Sequence, residues 1–183
     1  MNPLRPILIL LAAFLAVFAQ AAFHGLHHLL GVQINFLPAL VVCASLRTGL
    51  TTMIATAAFG GLCFDSLSEN PLGISVLPLF IAGFIVCWKS DLILRDQFYA
   101  QFVIGLIASA LVPVMTLLLL MTSGRTPLLG LGTFWQWLVL TLAGGAATPV
   151  LFKILDWLEA GLSYKRAAET TFRQDREIRR GRT

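Results

Sequence analysis

Six blocks of apolar residues, each parted from the next by a short polar connector, run through nearly the whole chain. They are Ile7–Phe23, Leu29–Leu46, Leu50–Phe64, Gly73–Trp88, Phe98–Met121 and Phe134–Phe152, the last with room to extend to Leu158. A water-soluble domain could not bury all of these blocks and still offer a polar surface. Charged residues make up only 12% of the 183 residues, against about 25% in an ordinary soluble domain. The blocks therefore predict an all-α integral membrane protein, a bundle of about six transmembrane helices. A straight crossing takes about 20 residues and no fewer than about 17. The third and fourth blocks are short by that measure, which implies local thinning of the bilayer or use of polar flanking residues. The length suits one membrane domain, residues 1–160, and a short basic tail, residues 161–183.

The charges give the blocks an orientation. With the amino terminus in the cytoplasm and six crossings, Arg5, Arg47, Lys89, Arg95 and the tail fall on the cytoplasmic side, with Lys153 near the same end of the sixth block. The outer side then holds Arg125, Asp65 and Glu69. Such an excess of Lys and Arg inside is what orients membrane proteins. Trp88 and Trp157 would mark the inner interface, and Trp135 and Trp137 the outer one. Lys165, Arg166, Arg173, Arg176, Arg179, Arg180 and Arg182 concentrate the positive charge in the tail. This pattern implies anionic lipid as its neighbour, not nucleic acid. Arg5 followed by an apolar run and Ala19-Gln20-Ala21 also has the form of a cleavable secretory signal. The run is long enough to stay as a span, and retention is expected.

The connector Phe59–Gly73, FGGLCFDSLSENPLG, holds Asp65 and Glu69 in a region otherwise almost free of acids. A carboxylate beside hydrocarbon is costly, so it marks a boundary, a partner contact or a buried site. The pair could serve acid–base work. No nucleophile, base or metal-ligand spacing accompanies it, and Ser66, Ser68, Asn70, Pro71 and Gly73 supply turn chemistry. A structural or partner-contact role is the expectation. His24, His27 and His28 share a helical face and permit a metal site geometrically, but the HExxH arrangement is absent. Cys43, Cys63 and Cys87 lie in apolar stretches and read as small buried side chains. No catalytic residue, cofactor or metal is expected. Ala12 with Ala16, Ala57 with Gly61, and the run Gly144–Ala147 offer small-residue faces for close helix packing, internal or with a partner's helix.

The order of these features resembles the MreD family of bacterial rod shape-determining proteins. The resemblance lies in the Pro38-centred second block, Gly60-Gly61-Leu62 followed by Asp65, and Leu72-Gly73 opening the next block. The short charged connector KSDLILRDQF, the long fifth block and the final block with its basic tail agree with it. The tail is longer and more basic than is usual there, and the histidine cluster is no part of the pattern. The resemblance implies a non-catalytic, multi-pass subunit of the bacterial inner membrane with both termini cytoplasmic. Such a protein binds MreC and works with MreB, RodA and the elongation transpeptidase in lateral peptidoglycan synthesis and cell shape. The motif positions that follow are Gly60, Gly61, Leu62, Asp65, Leu72 and Gly73, with Glu69 beside them. The family is similar in fold to the substrate-binding subunits of energy-coupling-factor transporters. A vitamin-like transport subunit is therefore the alternative, with Ala12-x-x-x-Ala16 docking an energising partner and His24, Asp65, Glu69 and Asn70 forming a substrate lid. An intramembrane enzyme using Asp65 is a more distant third.

Overall fold

A computed structural model describes residues 4–22, 35–68, 71–89, 97–124 and 130–170. They form six α-helices and, among the described residues, no strand: α1 Leu4–Ala22, α2 Leu37–Arg47, α3 Leu50–Leu67, α4 Val76–Trp88, α5 Phe98–Thr122 and α6 Leu131–Thr170. Three of them, α3, α5 and α6, are long and apolar enough to cross a membrane. Each of the six expected blocks carries a helix. The second begins at Leu37 within the described residues, while residues 29–34 lie outside them. The sixth continues without a break through 161, the expected start of the tail, to Thr170. Residues 171–183 lie outside the described residues.

Consecutive helices reverse direction. Arg5 at the start of α1, Arg47 at the end of α2, Gln101 at the start of α5 and Glu159 late in α6 meet at one end. Asn35 before α2, Ser68 after α3, Ser75 before α4, Leu120 late in α5 and Gln136 early in α6 meet at the other. The start of α1 and the later part of α6 therefore share one end, joined by an ion pair of 3.2 Å between Arg5 and Glu159.

Helix α2 is the centre of the molecule. Every residue from Leu37 to Leu46 is buried, and the other five helices pack around it. The sequence accounts for its limits. The Asn35 carboxamide oxygen accepts the Leu37 amide at 2.9 Å, and Pro38 sits in the first turn, where its missing N–H costs no helix bond. At the far end the Thr48 hydroxyl donates to the Ala44 carbonyl, and Gly49 turns the chain at φ +88°, a region costly for other residues. The one hydroxyl inside α2, Ser45, lies 2.8 Å from the Val41 carbonyl and 3.1 Å from that of Gly83. At 1.5 Å per residue α2 is about 16 Å long and α5 about 37 Å. The central helix is thus recessed at both ends, and polar groups gather beyond each.

The outer helices are two-faced. In α1, Ile9, Ala13 and Val17 recur every fourth residue and are buried, while Ile7, Leu11, Phe14, Leu15 and Phe18 are exposed. Ala13, rather than Ala12 or Ala16, is the deepest of the alanines: it is fully buried and faces Gly60 and Leu37. Helices α5 and α6 interlock through glycines. A side chain at Gly105 would collide with Thr148, and one at Gly144 with Ser109. The glycines of the Gly144–Ala147 run thus serve internal packing, while Ala146 is exposed.

Trp88, Trp135 and Trp157 are exposed. Trp137 departs from the expected outer belt: its indole N–H turns inward and donates to the Ala110 carbonyl at 3.1 Å. Pro113 lies inside α5 one turn beyond Ala110, and its missing N–H leaves the neighbouring Ser109 carbonyl without its helix donor.

Candidate functional site

The Gly60–Gly73 motif folds into a corner between α3 and α4, and Asp65 holds it. The carboxylate is expected in a connector, but α3 runs on to Leu67, so Asp65 sits in its last turn. The residue is 1% exposed. Its Oδ2 accepts the Gly73 amide at 2.8 Å and the Ser75 amide at 3.1 Å. Both N–H groups lie just ahead of α4, where a helix start leaves donors unpaired and favours negative charge. The carboxylate at the end of one helix thus caps the beginning of the next. Oδ1 is buried and has no hydrogen-bond partner among the described residues.

The rest of the motif makes this grip possible. Gly73 takes φ +90°, which brings its own amide and that of Ser75 onto one oxygen. A Cβ on Gly61 would lie 2.9 Å from Val76 Cγ2 and 3.0 Å from its Cα, so the glycine lets the start of α4 touch α3. A Cβ on Gly60 would lie 2.7 Å from Leu37 Cδ2, so this glycine seats α3 against α2. Leu62 and Leu72 point outward, 49% and 72% exposed. Glu69 and Asn70 lie outside the described residues, as do His24, His27 and His28.

This arrangement settles how the motif divides. Gly60, Gly61, Asp65 and Gly73 are spent inside the fold. Gly61 is buried against Val76, so its small face is used in packing α4 on α3. Asp65 Oδ2 is engaged by the Gly73 and Ser75 amides.

A second polar cluster lies at the opposite end, beyond the carboxyl end of α2. Arg47 Nη2 is 2.6 Å from Asp156 Oδ1, and Nη1 is 3.5 Å from Glu159 Oε1. Nη2 also donates to the Phe152 carbonyl at 2.9 Å, and the guanidinium lies 4.9 Å from the centre of the Phe152 ring. Arg5 pairs with the same Glu159. The cluster ties α1, α2 and α6 together and lines an open cleft of about 230 Å³. Sequence reading places Arg47 on the cytoplasmic side and misses the cluster. The available signal is Asp156 and Glu159 at i, i+3, two acids on one helical face just past the apolar stretch of α6.

Comparison of the chain with protein-family models, with curated proteins and with solved structures found no match.

Proposed function

We propose that the chain is a multi-pass subunit of the bacterial cytoplasmic membrane, of the MreD kind. In this reading it holds MreC and supports cell shape and lateral wall synthesis without chemistry of its own. The observation that carries the reading is the division of the motif. Its polar and small members are consumed in capping α4 and seating α3, while its large apolar members, Leu62 and Leu72, remain exposed. Phe59 is on the same face of α3 as Leu62, one turn away. Its ring centre is 6.5 Å from that of Phe14, which stacks on Phe18. An aromatic and leucine surface without charge suits a single transmembrane helix, whose association in lipid depends on close packing.

Membrane residence is supported by the broad apolar exterior. Ile7, Leu11, Phe80, Phe84, Ile107, Leu142 and Val150 are exposed on α1, α4, α5 and α6. Short helices such as α2 fit the same setting, because polar groups beyond its ends are enclosed by protein instead of lipid. The end that gathers Arg5 and Arg47 is also where α4 ends at Trp88, beside Lys89, and where α6 carries Lys153. That bias favours the cytoplasmic side for this end. The rest of the elongation machinery, MreB, RodA and the transpeptidase, is then reached directly or through MreC, and the basic tail lies against anionic lipid.

The test is co-expression with MreC and capture from mild detergent. Retention of MreC by the wild type, and its loss on Leu62→Lys with the fold intact, is the expected result. Capture of no MreC by the wild type would refute the reading.

A further inference from the structure

The cleft beyond the carboxyl end of α2 holds four charges in an alternating row. Arg5 pairs with Glu159 at 3.2 Å, Glu159 with Arg47 at 3.5 Å, and Arg47 with Asp156 at 2.6 Å. The two inner members are covered: the side chains of Arg47 and Glu159 are 13% and 22% exposed. The two outer members are open, Arg5 at 50% and Asp156 at 67%. Arg5 engages the row through Nη2 and Asp156 through Oδ1. A guanidinium has several donors and a carboxylate several acceptor positions. Donors therefore remain open at one end of the row and acceptors at the other.

Both ends line the same cleft of about 230 Å³, together with the buried side chains of Leu46 and Phe152. At about 30 Å³ per water the cleft holds about eight water-sized groups, the size of a phosphate joined by a short arm to an amine. An anion alone would meet Arg5 and leave Asp156 unpaired. A cation alone would do the reverse. A molecule carrying an anion and an N–H-bearing cation a short arm apart meets both, and each contact is charge-assisted.

The position of the cleft points to a lipid as the source of that molecule. Trp157 adjoins Asp156 and Trp88 closes α4 at the same end of the bundle, and both indoles are exposed, as rings at headgroup depth are. The helices that frame the cleft expose apolar side chains to carry acyl chains: Ile7 and Leu11 on α1, Phe98 on α5 and Ile154 on α6.

We propose that this cleft seats the headgroup of a phospholipid bearing a phosphate and a primary ammonium, the phosphate on Arg5 and the ammonium on Asp156. The headgroup closes the row of four charges into a ring. The proposal rests on membrane residence and not on MreC.

The test uses the full chain recovered from membranes in mild detergent. It is titrated with phosphatidylethanolamine or phosphatidylglycerol of the same acyl chains, and native mass spectrometry reads the bound lipid. Both lipids carry the phosphate, and only the first carries the ammonium. Phosphatidylethanolamine should bind about fivefold tighter, the effect of one partly exposed charged pair. Asp156→Asn should bring the two lipids to about equal affinity. Arg5→Gln should weaken both and keep their ratio. Should a variant fail to fold, the wild-type ratio decides alone. Equal binding in the wild type, or a preference that survives Asp156→Asn, would overturn the headgroup site. Displacement of the lipid by an equal concentration of soluble phosphoethanolamine would overturn the lipid as its source. Recovery of the chain outside the membrane fraction would overturn the membrane reading and this site with it.

Discussion

Replacing Asp65 separates a structural carboxylate from a chemical one. In Asp65→Ala the Gly73 and Ser75 amides lose their side-chain acceptor; the Ser75 amide is buried and the Gly73 amide half-buried. A buried N–H left without a partner costs about 1–3 kcal/mol, so about 3 kcal/mol for Ser75 and about 1 kcal/mol for Gly73 give about 4 kcal/mol. For a domain of this size each kcal/mol moves the midpoint of thermal unfolding by about 2–4 °C. The expected loss is about 12 °C for the detergent-solubilised protein. Asp65→Asn behaves differently. Its carbonyl oxygen can take the place of Oδ2 and accept the same two amides. The amide nitrogen then falls where Oδ1 already lacks a partner. Charge assistance is lost, but so is the cost of desolvating a buried anion, and the net change should stay within about 1 kcal/mol. The assay is thermal unfolding followed by tryptophan fluorescence, paired with rescue of cell shape in a strain lacking the gene. Asn should keep both stability and rescue, and Ala should lose both. A stable Asp65→Asn protein that fails to rescue would refute the capping role as the full explanation and point to acid chemistry.

Four further outcomes follow from the packing. Gly61→Leu should destabilise the protein by more than about 3 kcal/mol, because even a Cβ there meets the backbone of Val76 at 3.0 Å; overpacking by one or a few methylenes already costs about 1–3 kcal/mol, and the measurement is the same thermal midpoint. Arg47→Met should cost about 2–3 kcal/mol, since Arg47 is 13% exposed and has two acidic partners and a carbonyl. Asp156→Asn and Arg5→Gln, at 67% and 50% exposure, should each cost under about 1 kcal/mol. Phe14→Ala with Phe59→Ala should leave the thermal midpoint within a few degrees and reduce MreC capture, which a quantitative pull-down would read.

The helices were legible because apolar runs and their polar breaks are one-dimensional signals. Leu50, Trp88 and Phe98 are predicted edges that the structure keeps to the residue. The missed edge at the end of α3 has a local cause. Asp65 and Ser66 look like turn residues, yet the partner that makes Asp65 acceptable in a helix comes from ten residues further on, at Ser75. The motif's importance was visible, but its division into inward Gly61 and outward Leu62 was not, because neighbouring residues in a helix differ in direction by about 100°. The Arg47 cluster was invisible for another reason. Its members are separated by more than a hundred residues, and nothing local pairs Arg47 with Asp156. The recessed α2 also escaped notice, because an apolar run gives no measure of how far its neighbours extend beyond it.

The central claim is that the chain is a membrane bundle whose first and last helices open onto the cytosol. Cysteine labelling tests it most directly, with Leu72→Cys and Gly161→Cys each placed in a background where Cys43, Cys63 and Cys87 are replaced by alanine. In intact spheroplasts a membrane-impermeant maleimide should modify the position-72 variant at once and the position-161 variant only after permeabilisation. Labelling at position 161 from outside, or the same reactivity at both positions before and after permeabilisation, would contradict the claim.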